Sequence, residues 1–153
     1  ILEGSRENQI QLVDEVEMLR NYLGLEKFSH EDKFEFSFNY DEEELSLISV
    51  PSMIIQPFLE NAIVHGALKS KGKGKIEVSF RVEEDNVICE IRDNGPGYVQ
   101  VDKNLPGRKT SAITITKERL DLLSKSEDSV RMENIQIKEL VVGLKIKICL
   151  PIL

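Results

Sequence analysis

The sequence predicts an α+β fold: a two-layer sandwich of one mostly antiparallel sheet with helices on one face. Three observations predict it. Segments of alternating apolar and polar residues recur and include a hairpin; stretches with helical spacing lie among them; and the two kinds of segment do not alternate strictly, as a doubly wound parallel sheet would require. A chain of 153 residues suits a single domain with one sizeable core.

Within residues 9–28, Leu12, Val16, Leu19 and Leu23 follow at spacings of four, three and four and line one helix face. Asp14, Glu15 and Glu17 are expected on the solvated remainder. The stripe fits a helix packed on its own domain and equally one member of a helix pair extending from a longer protein, because four seam positions do not define a coiled coil. Phe34, Phe36, Phe38 and Tyr40 then alternate with Lys33, Glu35, Ser37 and Asn39, the period of a strand with one buried face. The acidic run 41–44 should close it as a solvated turn.

Pro51 suits the first turn of a helix, where its missing N–H has no intrahelical partner. A helix is therefore expected from there to about Val64, with Ser49 or Val50 near its cap and Gly66 as its stop. Pro57 is awkward in that span and should kink it unless it lies in the first turn. Residues 69–75, KSKGKGK, read as a flexible basic loop. Strands are predicted at 75–82 and 86–92, joined by the turn EEDN. Between Asn94 and Thr110 the periodicity vanishes among Gly, Pro, Lys and Asn, so a loop of roughly 15 residues is implied, and such loops are commonly functional lids. A helix from about 111 to 124 carries Ile113, Leu120 and Leu123 on its apolar side. Strands near 130–138 and 144–150 close the chain.

The formal charge of −7, from 20 basic and 27 acidic residues, argues against nucleic acid as a partner and against docking on anionic lipid. No apolar run approaches the ~20 residues that cross a bilayer, and the start ILEGSREN lacks a signal pattern, so no direct membrane contact is expected. Cys89 and Cys149 fall far apart in strands without metal-ligand spacing, and read as small buried residues of a reducing compartment.

Two constellations could carry chemistry. Asn61 and His65, four apart, share a helix face, with Glu60 about a quarter-turn away. The amide oxygen of Asn61 could ligate a hard cation such as Mg²⁺, or simply bridge groups inside the core. The second is RDNGPGY, 92–98. Asp93 at a strand end can accept a hydrogen bond from an exocyclic amine, and Gly95 and Gly97 let backbone approach a flat or charged ligand; as an isolated string, Asp-Asn-Gly is also an ordinary turn.

LRNYLGLEKF, PSMIIQPFLENAIVHG, DNGPG, TKERL and LKIKICLP, in this order, resemble the ATP-binding domain of sensor histidine kinases of the LytS type, within the GHKL or Bergerat-fold superfamily. The resemblance spans nearly the whole chain. It implies that Asn61 ligates the Mg²⁺ that is tied to the ATP phosphates and that Asp93 receives the adenine amino group. It implies Gly95 and Gly97 in the hinge of a lid formed by 98–112, and His65 near the phosphates in a supporting role. Backbone N–H groups of Ala112 and Ile113, at the start of the next helix, would face phosphate. The chain departs from the pattern in Thr110 and Ala112 where a GxGL motif has glycines, in Val64 where a Lys commonly stands, and in Leu144 where a Thr follows Gly143.

The family's phosphoacceptor histidine lies upstream in a motif ending PHFLFN, which is absent from this sequence; neither His30 nor His65 substitutes for it. No catalytic residue is therefore expected in this segment. It reads as a C-terminal piece, with 1–30 the end of the dimerisation and phosphoacceptor region and 31–153 the ATP-binding kinase domain. The implied function is to present Mg-ATP for autophosphorylation of that upstream histidine. The implied partners are the chain's own phosphoacceptor helix, a response regulator and a second copy in a homodimer. The parent is expected to be a membrane-anchored bacterial protein with this domain in the cytoplasm. A second reading keeps the fold as a degenerate scaffold for dimerisation or partner docking. A hydrolytic clamp of the superfamily is disfavoured, because Pro57 stands where its carboxylate base would be.

Overall fold

The computed structural model describes residues 8–98, 112–124 and 128–153. Its main sheet has five strands: β2 (Phe34–Asn39), β4 (Gly74–Glu83), β5 (Asn86–Asp93), β6 (Val130–Ile137) and β7 (Leu140–Pro151). They lie in the order β2-β4-β5-β7-β6. The β2–β4 pair is parallel and the others antiparallel, so the α+β expectation holds with one parallel edge. A two-stranded antiparallel ribbon, β1 (Gln9–Gln11) with β3 (Ser49–Pro51), forms a separate small sheet.

Alternation places one face of the sheet in the core. Ile76, Val78 and Phe80 of β4 stand opposite Asp93, Ile91 and Cys89 of β5, which in turn oppose Leu144, Ile146 and Ile148 of β7. All of the apolar members of these rows are buried. Helix α1 (Leu12–Ser29) adds Leu12, Val16, Leu19 and Leu23 to the same cluster. The four-residue stripe thus packs on its own domain. At the edge, the Arg20 guanidinium sits 4.8 Å over the Phe38 ring and donates to the Tyr40 hydroxyl.

Several expectations are corrected. Glu15, expected in solvent, is 4% exposed on the inward side of α1. The acidic run folds into one helical turn, α2 (Glu42–Leu45), because the Asp41 carboxylate accepts the N–H of Glu43 and Glu44 and caps it. Pro51 ends β3 and starts no helix. Helix α3 begins at Gln56 and runs to Asn61, which puts Pro57 in its first turn, where it lacks no needed hydrogen bond. The chain then widens into a π turn at Ala62–Gly66, whose signature is the Ala67 N–H donating to the Ala62 carbonyl, and tightens to a 3-10 turn at Ala67–Lys69. Gly66 has φ −113 and ψ −91, so it is no left-handed cap. In α4 (Ala112–Ser124), Leu120 is fully buried and Ile113 partly so, but Leu123 is 45% exposed.

Candidate functional site

Asp93 is the last residue of β5 and lies on the core side of the sheet, in a row with Ile76 on one side and Leu144 on the other. The residue is 6% exposed. It accepts the Gly95 N–H at 2.9 Å, closing the turn that follows the strand. Burial pushes its pKa above the usual aspartate range, while the N–H groups of Gly95 and Leu144 pull in the other direction without cancelling the rise. Two oxygens offer about four acceptor positions, so capacity remains for a further donor.

Three bare Cα atoms permit the close packing around Asp93. A Cβ on Gly66 would collide with the Asp93 side chain, and a Cβ on Gly95 with the Gly66 backbone. A Cβ on Gly143 would strike the Asp93 carbonyl oxygen. The end of the α3 segment therefore rests directly against the turn after β5, and the two constellations seen in the sequence, about 30 residues apart, meet in space. Gly95 is used for backbone-to-backbone approach inside the protein, whereas Gly97 is the position that needs a left-handed conformation, with φ +89.

Around this contact, the neighbouring loop is held as well. Asn94 donates from Nδ2 to the Lys73 carbonyl at 3.0 Å and accepts the Lys75 N–H at 2.7 Å. The basic loop is thereby clamped to the end of β5. Asn61, the last residue of α3, is half-buried and His65, in the π turn, is exposed. Glu60 is exposed and stands near α1, where burial, Glu26 and Glu60 together push the Tyr22 phenol up to about 12. Ala112 is exposed at the first turn of α4, and Ile113 packs against the core. Thr110 and most of the 98–112 segment lie outside the described residues. Sequence reasoning missed the contacts of Gly66 and Gly143 with Asp93; an isolated glycine within a strand pattern, as at Gly143, is the signal that could have found the second.

The fold is that of a histidine kinase ATP-binding domain. The catalytic domain of histidine kinase ThkA superposes with a TM-score of 0.62 at 16% identity, covering 94% of this chain and 93% of that one. ThkA in complex with the response regulator protein TrrA matches with a TM-score of 0.57 and 16% identity, over 94% of this chain and 41% of that one. In sequence, the sensor histidine kinase YpdA of Escherichia coli is 31% identical over 98% of this chain and 26% of its own length. The sensor protein LytS of Staphylococcus saprophyticus is 34% identical over 67% of this chain and 17% of its own length. No protein-family model matches. The chain belongs to the LytS-type sensor histidine kinases. It spans about a quarter or less of the length of these relatives.

Proposed function

We propose that this chain is the ATP-binding catalytic domain of a two-component sensor histidine kinase, which presents Mg-ATP for phosphorylation of a histidine upstream of the segment. The observation that carries it is the packing of Gly66 against the buried Asp93 carboxylate, which brings the Asn61 helix onto an acceptor with unused lone pairs. Asp93 takes the adenine amino hydrogen. A neutral amine donor suits it, because a buried carboxylate that keeps its charge gains from each added N–H. Gly95 and Gly97 shape the turn, Asn61 supplies an amide oxygen for Mg²⁺, and the helix start at Ala112 and Ile113 faces phosphate, with His65 nearby.

Among the described residues no three His, Cys, Asp or Glu side chains cluster in a metal-binding group. That fits a Mg²⁺ held mainly by phosphate oxygens and water, with a single amide from the protein. The metal, when bound, neutralises phosphate charge, and the domain contributes by positioning and by excluding wrong geometries. Residues 1–30 are assigned to the end of the dimerisation and phosphoacceptor region and 31–153 to the ATP-binding domain, with α1 lending Leu12, Val16, Leu19 and Leu23 to the core of that domain. The upstream helix, a second copy of the parent and a response regulator are the partners; the ThkA–TrrA complex supports the last. The parent is a membrane-anchored bacterial sensor with this domain in the cytoplasm; no described helix is long and apolar enough to cross a membrane.

Titrating the chain with ATP, with and without Mg²⁺, tests this reading. Binding should require Mg²⁺ for full affinity and weaken about 10- to 100-fold in Asp93→Ala, the worth of a hydrogen bond to a charged group. Absence of binding at millimolar ATP, or binding indifferent to Asp93→Ala, sinks the proposal. Adding back the upstream helix should then produce an acid-labile phosphohistidine. Binding without phosphotransfer in that longer chain would favour the scaffold reading instead.

A further inference from the structure

The turn 93–98 is tethered at both ends, and only the first tether is explained by its own sequence. At the far end, Tyr98 donates its N–H to Asn134 Oδ1 at 2.6 Å, and Asn134 Nδ2 donates back to the Tyr98 carbonyl at 3.2 Å. One side-chain amide thus pairs with both backbone groups of one residue, as a neighbouring strand would. Asn134 sits on β6 directly opposite Leu144 of β7, and Leu144 is directly opposite Asp93 of β5. Asp93, Leu144 and Asn134 form one row across three strands, and the turn leaves β5, crosses β7 and lands on β6, a span of about 10 Å.

The crossing is fitted to what lies beneath it. Gly143 of β7 has no side chain where the Asp93 carbonyl and Asn94 Cα pass. Gly97 takes φ +89, and a Cβ there would meet Val141 Cγ1 and Asn134 Oδ1. The β6–β7 register slips between Ile135 and Gln136, passing from Ile135↔Gly143 to Gln136↔Val141, so that Val142 has no partner opposite. Bulges of this kind re-aim side chains beside functional turns.

We propose that Asn134 is a positioning residue of the nucleotide site: by pairing with Tyr98 it fixes the path of the 93–98 turn over β7 and so aims the Asp93 carboxylate at the base. This rests on the ATP-binding reading above and adds to it a residue on a strand that carries no motif. Asn134 touches no ligand in this account; its effect reaches the base through Gly97, Gly95 and Asp93.

The test compares ATP with inosine triphosphate, which carries a carbonyl where adenine carries its amine, on the wild-type chain, Asn134→Ala and Asn134→Asp. Wild type should prefer ATP. Asn134→Ala should weaken ATP about 10-fold and inosine triphosphate much less, narrowing the preference. Asn134→Asp keeps an acceptor for the Tyr98 N–H but loses the donor, and should fall between. In an Asp93→Ala background, Asn134→Ala should cause no further loss of base preference, which a purely structural role would not produce. Hydrogen exchange at the Tyr98 amide should speed up in Asn134→Ala, and should still be slow in Asn134→Asp, which serves if the alanine variant folds poorly. An ATP preference equal to wild type in both variants overturns the inference while leaving the nucleotide reading intact. A wild-type chain that binds neither nucleotide overturns the reading beneath it, and the inference with it.

Discussion

The turn after β5 and the first turn of α1 each bury a carboxylate, and they are built in opposite ways. Asp93 is 6% exposed and Glu15 is 4% exposed, and burial raises the pKa of both. Around Asp93 the backbone is organised: two N–H groups act against the desolvation, Gly66 clears space for the carboxylate, and Gly95 and Gly143 admit the backbone beside it. Around Glu15 desolvation by burial is what raises the pKa. A buried charge with its own donors and a glycine-lined approach is a built acceptor. A buried charge without them is a cost that the surrounding helix packing tolerates.

Changes to the glycines should break the first region most severely. Gly143→Ala drives a methyl group into the Asp93 carbonyl, a backbone atom of a central strand that cannot move alone. Overpacking of this kind costs about 3 kcal/mol, so a clear drop in the urea midpoint and loss of nucleotide binding should appear together. Unchanged stability in Gly143→Ala would mean that β7 does not pass beneath the turn as closely as described. Gly66→Ala should separate the two effects. Its methyl group meets the Asp93 side chain, which can swing aside, so stability should fall by only about 1 kcal/mol while ATP affinity falls about 10-fold or more. Calorimetric titration beside denaturant unfolding reads both. Affinity equal to wild type would remove Gly66 from the site.

Much of the fold, and the Asp93 half of this contrast, is legible in the residues. Strands β2, β4, β5 and β7 announce themselves because one face of each is buried and period-two alternation runs through most of their length. The α1 stripe reads correctly for the same reason at helical spacing. The start of α3 did not, since Pro51 and Pro57 both satisfy the first-turn preference and local rules do not choose between them; the three-residue pairing of β1 with β3, which claims Pro51, joins segments about 40 residues apart. Asp93 was legible because its motif is continuous in the chain. Gly66, Gly143 and Asn134 were not, because what they touch is distant in sequence: a glycine beside a helix end looks like a stop signal, and an Asn within a strand looks like a surface residue. Glu15 was misplaced because its neighbours Asp14 and Glu17 are solvated, and letters of one charge suggest a shared face that the helix does not give them.

The smallest effect tests the second region. For Glu15, a folded-state pKa raised above the ordinary value means that the native protein holds the proton more tightly than the unfolded chain. Its burial costs nothing while both states are protonated. The cost grows as pH rises from the ordinary glutamate value of about 4.5 through the higher folded one. Wild type should therefore lose stability across that window. Glu15→Gln, which keeps the shape and removes the charge, should be about 1 kcal/mol more stable at pH 7 and no different near pH 4. Unfolding by urea at the two pH values measures this directly. A variant less stable than wild type at pH 7 would show that Glu15 has a partner in the folded protein, and the contrast with Asp93 would disappear. If the variant is more stable and binds ATP as wild type does, the two carboxylates are distinct in kind: one held for a ligand, the other carried as a burden of the helix face on which it falls.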